Sequence, residues 1–290
     1  MRSFFRILFL TALLLPFGAQ AKELEVVASF SILADMTRQI TGNDAHVTSL
    51  VEAQSDAHAF SPSPADVRKV AHADIVIING LGFEGWSTRL LQASGFKGQL
   101  VTASDGVTPI LINTIPDPHA WQNIANAETY VANIRDALVK ADPAHADDFK
   151  HNAERYLKKL AETDVWSKAQ LASVPKERRR AAITHDAMRY FAAAYGVDFT
   201  APLGLSTDSD ISAADMRKLV DAMRARNLRV VFLENMADPR LMRQLVADGG
   251  ASIGGTLYSD ALSGAQGPAP DYIALMRYNV STVAQALLKP

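Results

Sequence analysis

The sequence predicts an α/β fold: two Rossmann-like (β/α) lobes with parallel-rich central sheets, joined by one long rigid helix. Three observations carry this expectation. Short unbroken apolar runs, rich in β-branched residues, alternate with amphipathic helical patterns along the chain, as in parallel sheets covered by helices. The two halves share an echo. Ser63-Pro64-Ala65-Asp66-Val67-Arg68-Lys69-Val70 is similar to Ser212-Ala213-Ala214-Asp215-Met216-Arg217-Lys218-Leu219, each opening on S-x-x-D, a variant of the helix capping box. Between the halves, residues 143–173 contain no glycine and no proline after Pro143. A helix of about 30 residues at 1.5 Å per residue is roughly 45 Å long, which suits a strut between lobes.

The elements follow in chain order. Arg2 and Arg6 precede the apolar run Ile7 to Leu15, Pro16 and Gly18 break it, and Ala19-Gln20-Ala21 forms a small-x-small site. This order predicts a secretory signal peptide over 1–21, cleaved after Ala21. The apolar run is too short to span a bilayer. Leu24 to Ala28, Val47 to Val51, Ile75 to Ile78 and Leu100-Val101 read as strands, with helices over Ile32 to Ile40 and Ala65 to His72. Asp142 is placed to cap the linking helix, Pro143 to occupy its first position and Pro175 to end it. Phe149, Tyr156, Leu160, Val165 and Leu171 recur near helical spacing. In the second half, Ala181 to Ile183, Val230 to Leu233 and Ser252 to Leu257 read as strands. Helices are expected over Ala187 to Tyr195, Met216 to Arg226 and Asp271 to Leu288. The expected organisation is a lobe over 22–141, a linking helix over 142–174 and a second lobe over 175–290.

Composition narrows the function. The chain has 290 residues, a net charge of -2 and no cysteine. An exported chain without cysteine has no disulfides and must rely on an apolar core. It also lacks a thiol for lipid attachment, which points to a soluble protein retained in a Gram-negative periplasm. Thiolate metal ligands are excluded. Nothing is basic enough for nucleic acid.

Of seven histidines, three stand in informative contexts. His58 lies in the loop Asp56-Ala57-His58-Ala59-Phe60-Ser61-Pro62, His119 in the turn Asp117-Pro118-His119-Ala120-Trp121, and His185 follows the strand Ala181 to Ile183. Asp260 follows Gly254-Gly255-Thr256-Leu257-Tyr258-Ser259 at a strand end. All four fall near strand C-termini or helix starts, where open α/β sheets bind ligands. Two come from each half, so a site between lobes follows. Three imidazoles and one carboxylate suit Zn(II), and also Mn(II) or Fe(II) when the carboxylate is bidentate. Four protein ligands close a tetrahedral zinc site, which favours binding over hydrolysis. No H-x-x-x-H spacing joins them, and by residue type alone each histidine reads more often as a cap or surface residue than as a ligand. His145 and His151 read as solvated, His46 as a turn residue, and His72 as a helix-end cation. Asp117, Asp186 and Glu234 either orient imidazoles or are ordinary turn and helix carboxylates. Trp86 and Trp121 read as packing.

Several motifs together resemble the zinc/manganese solute-binding proteins of bacterial ABC importers, from about Leu24 to the C-terminus. They are His58-x-Phe60-x-Pro62-x-Pro64-x-Asp66, Ala73-Asp74-Ile75-Val76-Ile77-Ile78-Asn79-Gly80-Leu81-Gly82-Phe83-Glu84 and Asp117-Pro118-His119-Ala120-Trp121. Thr184-His185-Asp186-Ala187 with Tyr190-Phe191 and Tyr195-Gly196, Phe232-Leu233-Glu234-Asn235, and Gly254-Gly255-Thr256-Leu257-Tyr258-Ser259-Asp260 complete the set. The resemblance implies a periplasmic, monomeric binding protein that hands a divalent metal to an ABC permease. Its metal ligands map onto His58, His119, His185 and Asp260. Members with Glu at the third histidine position are typically manganese binders, so His185 turns the expectation toward zinc. Two departures stand out. Val107 to Pro116 carries no His, Asp or Glu where many zinc members have a long metal-scavenging loop, and Gln122-Asn123 replaces an acidic-Pro step.

Two other functions are weighed. A secreted zinc hydrolase needs a placed general base, and the chain has no H-E-x-x-H or G-x-S-x-G. A binder of a metal chelate such as haem or a siderophore needs an open cleft rich in Arg or aromatics. For metal capture, affinity is expected to fall below about pH 6 as the imidazoles protonate. The long helix should limit hinge motion to a local rearrangement of the His185 and Asp260 lobe.

Overall fold

The computed structural model describes residues 23–207, 212–240, 242, 243, 246 and 251–289. The signal-peptide reading over 1–21 lies outside them.

Two four-stranded parallel sheets organise the chain. In the first, β1 (Leu24–Phe30), β2 (Ala45–Val51), β3 (Ile75–Ile78) and β4 (Gln99–Thr102) stand in the order β2-β1-β3-β4. The helices α1 (Ser31–Thr41), α2 (Pro64–His72) and α3 (Ser87–Ser94) connect them. β5 (Leu111–Ile112) and β6 (Ile115–Pro116) then form a short antiparallel hairpin over the stretch that lacks metal-binding side chains. Asn113 and Thr114 both take positive φ there, as a two-residue turn matched to strand twist requires.

α4 (Ile124–Ala141) and α5 (Ala146–Ala172) lead to the second sheet. It contains β7 (Arg180–Ala182), β8 (Asp198–Thr200), β9 (Val230–Glu234) and β10 (Ser252–Leu257), in the order β10-β9-β7-β8. Numbered within its own half, this is the order of the first sheet read from the opposite edge. The shared topology agrees with the sequence echo. α6 (Arg189–Tyr195) and α7 (Ala213–Ala225) connect the strands, and α8 (Tyr272–Leu288) closes the chain.

The echoed cap forms at α2. Ser63 Oγ accepts from Asp66 N–H while Asp66 Oδ2 accepts from Ser63 N–H, and Pro64 sits in the first turn. At α7, Met216 N–H reaches Ser212 O, while the side chain of Asp215 lies outside the described features.

The long helix starts three residues later than expected. Asp142 accepts from Ala144 N–H and caps a short 3-10 turn over Pro143–His145, after which α5 runs 27 residues. It buries Phe149, Ala153, Tyr156, Leu160, Thr163, Ser167 and Leu171 along one stripe. Val165 falls off that stripe and is 69% exposed, so its place in the sequence pattern was coincidental. α5 packs on α1, α4, α6 and α8, so it is a shared wall of both halves rather than a free strut. One apolar core accordingly runs through both halves, with a second small cluster of Leu219, Met223, Leu228, Val231 and Met242 under α7. Among the described residues, no helix is long and apolar enough to cross a membrane.

Candidate metal centre

His58, His119, His185 and Asp260 converge. One donor atom from each lies within 4.8 Å of every other. His58 Nε2 is 3.3 Å and His185 Nε2 3.4 Å from His119 Nε2. Asp260 Oδ2 is 3.1 Å from His185 Nε2 and 3.4 Å from His58 Nε2, and Oδ1 is 3.8 Å from His119 Nε2. The side chains of His119, His185 and Asp260 are fully buried and that of His58 is 4% exposed.

Each donor is aimed by its own local structure. His58 sits in the β2–α2 loop, where Asp56 Oδ1 accepts from the backbone N–H of His58 at 2.9 Å. Trp86 Nε1–H donates to Ala57 O at 2.9 Å, and the Phe83 ring stands edge-on to His58 at 4.7 Å. His119 follows the hairpin. Asp117 Oδ1 accepts from both the backbone N–H of His119 at 2.9 Å and its Nδ1 at 2.8 Å. With Nδ1 donating, Nε2 of His119 presents a lone pair to the centre. Tyr190 Oη donates to Asp117 O, and Asn79 Nδ2 to Pro118 O, pinning the turn from two sides.

His185 leaves the end of β7. Glu234, at the end of β9, accepts from its backbone N–H at 3.0 Å, and Glu234 Oε1 lies 2.8 Å from its Nδ1, off the axis of a hydrogen bond. Burial disfavours the imidazolium, but the carboxylates of Glu234 and Asp260 outweigh it and hold His185 well above the ordinary histidine range. Burial likewise works against the Asp260 carboxylate, and His185 and His119 overcome it, holding that group well below the usual range.

Asp260 follows β10, where the ladder bulges between Ile253 and Gly255. Gly255 takes φ +140, and a side chain at Gly254 would run into Phe232 and Val230. Ser259 Oγ donates to Glu234 Oε1 at 2.6 Å. Ser259 O accepts from Trp121 Nε1 at 2.9 Å and Gln122 Nε2 at 2.7 Å. The next residues reach the first half: Leu262 N–H donates to Ser31 Oγ, and Gln54 N–H to Leu262 O.

The donor set fits a divalent ion. Both Asp260 oxygens are buried without a hydrogen-bond partner. Buried carboxylate oxygens are otherwise nearly always satisfied, and a cation among three imidazoles would satisfy these. The spacing agrees as well. Donors at about 2.05 Å around tetrahedral zinc lie roughly 3.3 Å apart, close to the separations found here.

Several expectations need revision. Asp186 pairs with Arg189 and does not support an imidazole; the supporting carboxylates are Asp117 and Glu234. α6 begins at Arg189, so His185 lies in a loop four residues ahead of it. Trp86 and Trp121 pack as expected, but each also donates to a backbone carbonyl beside a donor residue. Unanticipated from sequence is Glu84, a buried carboxyl that accepts from Ser29 Oγ at 2.6 Å and from Asn79 and Gly80 N–H. Burial raises it above the ordinary glutamate range. The Ser29–Glu84 pair in the first half parallels Ser259–Glu234 in the second. His72 bonds Arg68 O at a helix end as expected. His145 pairs with Asp142, and His46 stands on β2 beside Glu25 rather than in a turn.

Comparison with known proteins agrees with this geometry. Residues 26–286 match the family model described as zinc-uptake complex component A, periplasmic. The chain is similar to the iron-binding protein YfeA of Yersinia pestis, 33% identical over 271 residues that cover 91% of this chain and 86% of the relative. It is also similar to the manganese-binding lipoprotein MntA of Halalkalibacterium halodurans, 34% identical over 265 residues covering 91% and 88%. The solved periplasmic zinc binding protein TroA of Treponema pallidum superposes with a TM-score of 0.88 at 26% identity, covering 92% of this chain and all of that one. The chain belongs to the zinc-uptake complex component A family, whose members are substrate-binding proteins of metal ABC importers and not enzymes.

Proposed function

We propose that this chain captures a divalent transition metal, zinc first and manganese next, between two lobes, and delivers it to an ABC-type membrane importer. In this reading the lobes span 22–141 and 175–290, with 142–174 linking them. His58, His119, His185 and Asp260 are the ligands. The observation that carries this reading is their convergence from four separate segments onto one buried point, with both Asp260 oxygens lacking any other partner. Three imidazoles with one carboxylate favour zinc, and the second Asp260 oxygen is available to a larger, manganese-type shell. Burial of the whole set disfavours a haem or siderophore, which needs an open cleft. The basic, apolar and small-residue order of residues 1–21 supports export to a periplasm with cleavage after Ala21.

The test is a competitive titration of chelator-stripped protein with Zn(II) and Mn(II), alongside His185→Ala. One equivalent of tight zinc, much weakened in the variant, is expected. Manganese preference would keep the site and change the cargo, and no stoichiometric binding of either metal would overturn the reading. The N-terminal mass of periplasmic protein should correspond to a chain starting at Lys22.

A further inference from the structure

We infer that the opposite end of the second sheet carries a binding pocket for a phosphate-bearing polyanion. A cavity of about 380 Å³ opens where β7, β9 and β10 begin, five residues of β9 away from Glu234 and the metal centre. At about 3.3 Å per residue that is on the order of 15 Å, so the two sites are separate. Among the described residues, Arg178, Arg180, Arg226, Arg229 and Lys289 line it, against one acid, Glu177.

Arg226 is already paired with Asp198. The others are not: among the described residues, no carboxylate forms an ion pair with Arg178, Arg180, Arg229 or Lys289. In an acidic chain this is a local concentration of uncompensated positive charge. The three guanidiniums are nonetheless held in place by neutral acceptors. Arg178 Nη1 donates to Leu288 O at 3.2 Å at the end of α8. Arg180 donates through Nε to Glu177 O at 3.0 Å and through Nη1 to Arg226 O at 3.2 Å. Arg229 Nε donates to Asn227 Oδ1 at 3.3 Å. Each keeps further N–H donors beyond these contacts. Forked guanidiniums match the oxygens of a phosphoryl group, and several around one cavity favour a ligand with more than one such charge. The cavity volume lies in the range of small-molecule sites. A soluble oligophosphate and the headgroup of an anionic phospholipid share this chemistry.

The experiment uses metal-free full-length mature protein in phosphate-free buffer of low ionic strength. Inorganic pyrophosphate is titrated calorimetrically, and phosphatidylglycerol and phosphatidylcholine vesicles are compared by flotation. The variants are Arg229→Gln, Lys289→Gln and the triple Arg178→Gln/Arg180→Gln/Arg229→Gln. One equivalent of pyrophosphate is expected, weakened roughly tenfold or more by Arg229→Gln and by rising salt. Zinc titration of each variant reports intact folding and is expected to be unchanged. Binding only to phosphatidylglycerol vesicles, lost in the same variants, supports the pocket with a lipid headgroup as the source. Absence of binding in both arms, or binding that the single variants leave unaltered, overturns the inference. A failure of zinc binding in the unmodified protein would sink the metal reading and leave this one standing.

Discussion

Replacing Asp35 with Asn should change how stability depends on pH. Asp35 lies on α1 and is 8% exposed. Its Oδ2 accepts from Tyr272 N–H at 2.8 Å, at the first turn of α8, and Oδ1 accepts from Gln39 Nε2 at 3.0 Å. Burial pushes its carboxyl from 3.8 up to about 6, against the pull of these two hydrogen bonds. The folded state therefore holds this proton more tightly than the unfolded chain. The stabilisation from that proton is fully present below about pH 4 and is lost as pH rises through about 6. A shift of roughly two units at about 1.4 kcal/mol each is worth about 3 kcal/mol between those limits. Asn keeps an acceptor for Tyr272 N–H and does not titrate. The stability of Asp35→Asn relative to the parent should thus rise by about 2 kcal/mol from pH 4.5 to pH 8, the part of that total lying above pH 4.5. For a chain of this size that is a relative gain in Tm on the order of 4–8 °C. Thermal unfolding of both metal-free proteins, followed by circular dichroism across this range, measures it. Parallel Tm curves would refute the assignment of a raised carboxyl to this contact.

Glu234→Gln turns an acceptor that serves His185 N–H and Ser259 Oγ into a mixed donor and acceptor. It should weaken metal binding about 10- to 100-fold, and an unchanged affinity in a chelator competition would show that Glu234 does not orient His185. Because Glu234 and Asp260 raise the proton affinity of His185 above that of an ordinary histidine, zinc binding at neutral pH should release more protons than three ordinary imidazoles would give up. Calorimetry in buffers of different ionisation enthalpy measures that release, and identical heats in all buffers would count against it. Thr207 Oγ1 donates to Asp56 Oδ2 at 2.7 Å, tying the second half to the loop that carries His58. Thr207→Val should speed metal loss to an excess of chelator about fivefold, the worth of one ordinary hydrogen bond. A stopped-flow rate equal to the parent's would remove the latch from the release step.

Much of the frame is written in local pattern. Ile75 to Ile78 is the strand its composition predicts, because a β-branched run bounded by turns has few other uses. The capping box at Ser63 and Asp66 needs only four consecutive residues. α4 leaves only a faint trace in the sequence although Ile124, Tyr130, Val131, Ile134 and Leu138 share its buried face. Alanines fill the rest of that face, so the apolar stripe is shallow. α3 has only Leu90 buried, and β8 is three residues long, too little of either for periodicity to register. Asp186 shows the limit most clearly. Adjacency in sequence made it a candidate partner for His185, yet it turns to Arg189, and Glu234, 49 positions away, takes the role.

The sequence by itself determined the donor types, the loops that carry them and the alternation that builds parallel sheets, since these rest on side-chain chemistry and on contacts within a few residues. The tertiary structure decided which donors share a point, which carboxylates stand behind them, and that α5 is packed against both halves. Trp121 and Gln122 meet the carbonyl of Ser259 from 138 and 137 positions away. No local pattern encodes such a contact, because it exists only once the two sheets and the helix between them have packed into one core.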